Sequence, residues 1–272
     1  MFFRVFPCGM HFLLPIATLW WREQIRFYRQ RSRLLGALGT PLVFWLFIGS
    51  GIGNSFHPPS TTTSISYLEY FYPGTIILAI LFTAIFSTIS IIEDRKEGFL
   101  LSVLASPIPR SSLVLGKILG GATLALFQGV LFLLLASVVG IPLDFPKFVQ
   151  LVAILFLIAF SLTALGFTFA WHINSTQGFH AVMNLLFFPM WLLSGALFPP
   201  SGASGWIQWI MQLNPLTYGL TCIRHIFYAE NSAALVGFPT FTKSILILVG
   251  FSVIVFLASL FITQKSAISS QK

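Results

Sequence analysis

Charge is what this chain of 272 residues has least of: seven acidic and fifteen basic side chains, 8% of the total. A water-soluble domain of this length normally carries about a quarter charged residues. So sparse a polar complement, beside 56% hydrophobic residues, thirty Phe and a mean hydropathy of +0.89, excludes a soluble fold, because no interior of that size hides so much apolar surface. Cysteine is nearly as scarce. Cys8 and Cys222 fall on opposite sides of the membrane in the topology below, so a disulfide between them is excluded. CxxC and HExxH are missing and the five His are scattered, which leaves a metal site without support. No basic run interleaved with base-stacking aromatics occurs outside a membrane flank, so the net charge of +8 reads as a topology signal and not as nucleic-acid binding.

What is present is a set of long apolar runs. Six qualify as spans, beginning near Leu34, Pro73, Ile118, Val149, His180 and Ser244. Runs of this length lack the alternation of barrel strands, so the expected fold is an all-α polytopic membrane protein. Twelve of the fifteen basic residues fall on one side: Arg4, Arg22, Arg26, Arg29, Arg31 and Arg33 before the first span, Arg95, Lys96, Arg110 and Lys117 between the second and third, and Lys265 and Lys272 after the sixth. The positive-inside rule makes that side, with both termini, cytoplasmic. Lys147, Arg224 and Lys243 are the exceptions. A single unit over 1–272 is expected: an N-terminal segment 1–33, a six-span core 34–264 and a cytoplasmic tail 265–272.

The opening "MFFRVFPCGMHFLLPIATLWW" has Pro7, His11 and Pro15 in its apolar run and no small-residue cleavage site, so it does not read as a signal peptide. A seventh span there is the alternative to an amphipathic helix at the membrane interface. In the interfacial reading Leu19, Trp20, Ile25 and Phe27 meet lipid or a partner surface. Trp20 and Trp21 mark the interface, while Arg22, Arg26 and Arg29 face headgroups and water.

Between spans five and six, Trp206, Trp209, Ile210 and Leu213 form one helical stripe, Asn214-Pro215 breaks it, and Leu216, Leu220, Ile223 and Phe227 form a second. Each piece is too short to cross a bilayer, so a re-entrant extracellular hairpin is expected, with Tyr218 in its second arm and Arg224 and His225 at its polar end. A compact extracellular cap is the other reading. No Asp, Glu, Lys or Arg lies near a span centre, which counts against an ion-coupled carrier. Gln128 and Asn184, with Phe82 and Phe188, are candidates for a substrate path, although buried amides more often join helices. The pairs Gly49/Gly53 and Gly116/Gly120 have the GxxxG spacing of close helix approach.

The charge that exists is concentrated. Glu93, Asp94, Arg95, Lys96 and Glu97 are consecutive, and Gly98, a short apolar helix bearing Phe99, Leu100, Val103 and Leu104, and Pro107 and Pro109 follow. A helix that short, apolar on one face, is marginal in water and suits a groove on another protein. It is equally well an incidental feature of a positive-inside loop.

The run "EDRKEGFLLSVLASPIPRSSLVLGKILGG" resembles the signature loop of ABC-2 type permeases, the membrane subunits of ATP-binding-cassette exporters such as the daunorubicin-resistance and nodulation-type export permeases. A second stretch, "FFPMWLLSGALFPP" followed by "WIQWIMQLNPLTYGLTCIRH", is similar to that family's closing pattern, although Gly205 stands before Trp206 where a Pro is common. The resemblance implies that the pentad and short helix form a coupling helix seated on a separate ATPase subunit, present in two copies and using ATP and Mg, since this chain has no GxxxxGK[ST] loop and binds no cofactor itself. It further implies a second permease copy, identical or a close paralogue, in a bacterial inner membrane. Spans two and five would flank the exit path, and the transport subunit would have no enzymatic activity. Phe-rich spans favour an amphipathic, lipid-like or drug-like cargo for export. A secondary carrier and a structural subunit of a membrane assembly are the alternatives.

Overall fold

A computed structural model describes residues 10–52, 66–228 and 235–269. Arg4, Cys8, Gly53 and Lys272 lie outside the described residues. The described residues hold helices and no strand: α1 Met10–Arg29, α2 Arg31–Ile52, α3 Tyr67–Lys96, α4 Phe99–Ala105, α5 Arg110–Leu134, α6 Phe145–His172, α7 Thr176–Trp191, α8 Gly205–Leu213, α9 Pro215–Phe227 and α10 Phe241–Ser269. Six of them, α2, α3, α5, α6, α7 and α10, are long and apolar enough to cross a membrane; α7 reaches this length with the π-helical turn Leu192–Ala196. These are the six expected spans, and α1 is not among them. The chain is a multi-pass membrane protein.

The helices differ sharply in how much they bury. In α3 the span is 89% enclosed, against 17% for α2 and 22% for α10. α3 is therefore the central post, ringed by α2, α5, α6 and α7. Lipid supplies no hydrophobic drive between helices, so the contacts rest on close packing and short polar links. Within α3 itself, Thr83 and Thr88 satisfy their hydroxyls on the Ala79 and Ala84 carbonyls, whereas the links between helices lie elsewhere. Ser161 and Thr168 of α6 meet Ser252 and Ser259 of α10 at 2.5 and 2.9 Å.

α1 lies lengthwise along α5, running the same way. Ser112 Oγ donates to the Phe12 carbonyl, Trp20 Nε1 donates to Thr123 Oγ1 at 3.0 Å, and Tyr28 meets Phe127 edge-on. Gly116 and Gly120 make this possible: a Cβ there would come within 2.9 Å of the Leu19 side chain and 2.8 Å of Glu23 Cβ. The GxxxG spacing serves this contact. α1 is the helix expected at the N-terminus, but its faces differ from expectation. Leu19 and Phe27 are buried in the chain, Trp21 and Ile25 remain exposed, and Arg22 and Arg26 turn inward.

The short helices follow from their caps. Gly98 takes a left-handed φ of 77°, which glycine adopts without a Cβ penalty, and so redirects the chain from α3 into α4. Asn214 Oδ1 accepts from Leu216 N, with Pro215 at the first helical position, so the Asn-Pro pair that ends α8 starts α9.

Candidate functional site: the charged end of the bundle

The pentad is not a loop. Glu93 to Lys96 form the last turn of α3, and Glu97 caps it. Asp94, fully enclosed, is its centre. Arg22 donates to both Asp94 oxygens, at 2.9 and 2.6 Å; Arg26 and Lys117 each pair with the same carboxylate. Lys117, itself buried, also donates to Glu23 Oε1 at 2.5 Å. Outside this centre, Arg26 reaches Glu93 at 2.9 Å and Glu97 at 3.2 Å, and Arg33 of α2 pairs with Glu93. Four cations thus meet four carboxylates across α1, α2, α3 and α5.

A carboxylate this deep is tolerable only when its charge is answered and its lone pairs are filled, and Asp94 meets both conditions. Burial alone would lower the Arg26 pKa, but Asp94, with Glu93 and Glu97, reverses the effect and raises it above the ordinary value. Arg95 points the other way. Its guanidinium donates to the Trp171 and Ile173 carbonyls, at 2.5 and 3.1 Å, and to Asn174 Oδ1 at 2.9 Å, capping the end of α6. Of the pentad, Lys96 and Glu97 are the exposed pair.

α4 hangs from this cluster. Arg22 stacks over the Phe99 ring, 3.7 Å from its centre. Leu100 is buried, and Phe99, Val103 and Leu104 pack on the core. The apolar face expected to enter a partner's groove is therefore used inside the chain, and the surface left outward is Leu101, Ser102, Ala105 and Pro107. Leu101 is 66% exposed.

At the opposite end, Arg224 overturns its expected place. It is completely buried, not at a polar rim: Nη2 donates to the Tyr70 and Gly195 carbonyls, at 3.2 and 3.0 Å, and the guanidinium lies 3.9 Å over the Tyr70 ring and 4.8 Å from that of Phe238. Its Nε and Nη1 have no hydrogen-bond partner among the described residues. Tyr218 donates to the Gln212 carbonyl at 2.6 Å, and Asn214 Nδ2 to that of Met190. Trp206, Trp209 and Leu213 face outward, and α8 is anchored by Met211 on its other side.

The candidate path residues do not converge. Gln128 is buried on α5, its Oε1 without a partner among the described residues, whereas Asn184 is exposed on α7 beside Leu185. Phe82 stacks on Phe86, while Phe188 meets Phe44 edge-on and Trp191 at a tilt. α3, expected beside an exit path, is enclosed within the chain. Among the described residues no group of three or more His, Cys, Asp or Glu side chains is placed to hold a metal.

Sequence reasoning missed Glu23 and the inward turn of Lys117. A signal existed: Ile16, Leu19, Glu23 and Phe27 fall on one helical face, and an acid within an apolar stripe requires a buried cation.

Residues 15–228 match the sequence profile of the ABC-2 type transporter family. The chain is similar to ycf38 of Cyanophora paradoxa, 27% identical over 257 residues (90% of this chain, 88% of the relative). It is also similar to the inner membrane transport permease YadH of Escherichia coli K12, 24% identical over 251 residues (90% and 94%), and to nodulation protein J of Rhizobium meliloti, 27% over 202 residues (72% and 74%). Membership of the family implies an ABC ATPase partner in general. The chain belongs to the ABC-2 type transporter family and is a membrane transport permease.

Proposed function

We propose that this permease is the membrane subunit of an ATP-driven exporter, powered through α4 by a separate ATPase that supplies the ATP and Mg chemistry. The observation that carries the reading is the union of α4 with the Asp94 cluster. A force applied to the outward side of α4 at Leu101 passes through Phe99 and Arg22 to α1, and through Asp94 and Lys117 to α3 and α5. A seven-residue helix on a flexible tether would dissipate that force; one fastened to three helices transmits it. The rest of the reading has two ATPase copies pushing two permease copies, at the cytoplasmic face of a bacterial inner membrane with both termini inside. It takes the outward face of α2 and α7, which carries Phe47, Asn184 and Leu185, as the side that meets the second copy and lines the route of an amphipathic cargo. The hairpin α8–α9, dipping into the outer leaflet with its exposed Trp206 and Trp209, would close the far end.

Ion coupling finds little support, because the buried charges of the described cluster already satisfy one another. The test is reconstitution of the permease with its cognate ATPase in liposomes. Hydrolysis stimulated by amphipathic compounds should require both subunits, and Glu93→Ala with Glu97→Ala should leave insertion intact while detaching hydrolysis from transport. Uphill flux by the permease alone on an ion gradient would overturn the reading.

A further inference from the structure

The outer flank of α1 carries a hollow of about 470 Å³, lined by Trp21, Arg22, Ile25, Arg26, Arg29 and Glu97. It continues, through Thr18 and Trp21, into an almost wholly apolar groove formed by Leu13, Leu14 and Ala17. Charge balance makes the hollow distinctive. Arg22, Arg26, Arg33 and Lys117 are matched by Glu23, Glu93, Asp94 and Glu97, but Arg29, exposed at the hollow's edge, has no ion pair among the described residues. The one acid lining the hollow, Glu97, is already engaged by Arg26. What remains is a positive pocket at the foot of a membrane bundle, joined to an apolar strip in which Leu13, Leu14 and Trp21 are 65%, 58% and 59% exposed.

We infer that this hollow is a binding site for one anionic phospholipid. Its phosphate sits among the guanidiniums of Arg29 and the outer edges of Arg22 and Arg26, and an acyl chain lies over Trp21 into the Leu13–Ala17 groove. The chemistry matches on both counts: basic pockets at the border of a bundle hold anionic headgroups, and a helix with Arg on one flank and Trp and Leu on the next seats at the headgroup boundary. Planar guanidiniums suit phosphate oxygens, which accept paired N–H bonds. Because Arg22 and Arg26 also hold Asp94, an occupied site would stiffen the charged cluster, making the permease sensitive to lipid charge however it is powered.

The test uses the full chain in nanodiscs of phosphatidylcholine doped with brominated phosphatidylglycerol, or with brominated phosphatidylcholine at the same mole fraction. The Trp21 fluorescence is read as the difference between the native chain and Trp21→Phe. The site predicts steeper quenching by the brominated phosphatidylglycerol. Arg29→Gln should reduce that preference by about fivefold, the equivalent of about 1 kcal/mol per basic residue near a charged surface. Arg31→Gln, also exposed but outside the hollow, should leave it unchanged, and inorganic phosphate should not compete. Equal quenching by the two lipids, or equal loss in Arg29→Gln and Arg31→Gln, would overturn the inference as mere attraction of a basic segment. Abolition by inorganic phosphate would overturn it in favour of a free-anion site.

Discussion

Each end of the bundle buries a cation, and the two are held in opposite ways. Lys117 lies between two carboxylates, Asp94 and Glu23, within a cluster that ties four helices together. Arg224 has no carboxylate partner among the described residues: it has two backbone carbonyls, two aromatic faces and two nitrogens, Nε and Nη1, left without acceptors. Charge–charge contacts in a dry site are strong but unforgiving, since removing one member strands the others. Carbonyls and π faces hold a guanidinium more weakly, and each is worth a fraction of a buried ion pair. The first arrangement suits a part that must move as one body. The second suits a joint that must rearrange, and it sits where α3, α9 and the π turn after α7 meet.

Breaking the stronger end should show the largest effect. Asp94→Asn leaves Arg22, Arg26 and Lys117 facing a neutral amide, and a loss of about 3–5 kcal/mol is expected, read as a large fall in the thermal unfolding temperature of the detergent-purified chain. Removing a pair together sharpens the contrast. Glu23→Gln with Lys117→Met leaves Asp94 two arginines, so the double variant should lose less than Asp94→Asn in the same melt.

Next comes Gly120→Val, which sets a branched side chain against Glu23 Cβ and forces α1 off α5. A cost of about 1–3 kcal/mol is expected, with faster proteolysis within α1 as its signature. Arg224→Met should cost only about 1–2 kcal/mol, because two hydrogen bonds and the ring contacts are lost while two unsatisfied donors disappear. A melt of Arg224→Met as low as that of Asp94→Asn would erase the distinction between the ends. The smallest effect belongs to Trp209→Ala. This side chain is exposed, so stability should shift by less than about 0.5 kcal/mol, while quenching by lipid-borne bromine should drop if α8 lies in the bilayer.

How far the sequence foretold this depends on the length scale of the signal. Spans were readable because about twenty apolar residues in a row admit few other outcomes. Asn214-Pro215 was readable because the pair acts locally, on the backbone it belongs to. Gly116 and Gly120 were readable as a close approach, but their partner was not, since α1 is nearly a hundred positions away. Side-chain direction was the weakest inference. Arg22 and Arg26 look solvent-bound on an arginine-rich helix, and only the position of Asp94, on another element, turns them inward. The burial of Arg224 is hidden from the sequence for a similar reason: what permits it is a ring on α3, a ring after α9 and a carbonyl in a π turn, none of them neighbours in sequence. The spacing of Phe99, Leu100, Val103 and Leu104 marks an apolar face on α4, but periodicity does not tell the chain's own core from a partner's groove.

Which side of α4 is free to be pushed decides whether force can enter the bundle there. The direct measurement places a photo-crosslinking residue at position 101, and separately at 100 and 104, in the permease co-expressed with its cognate ATPase, and identifies the attached chain by its phosphate-loop peptide. Attachment from 101 with none from 100 or 104 is the predicted result; attachment from 104, or a silent 101 in an assembled and hydrolytically active complex, would contradict it.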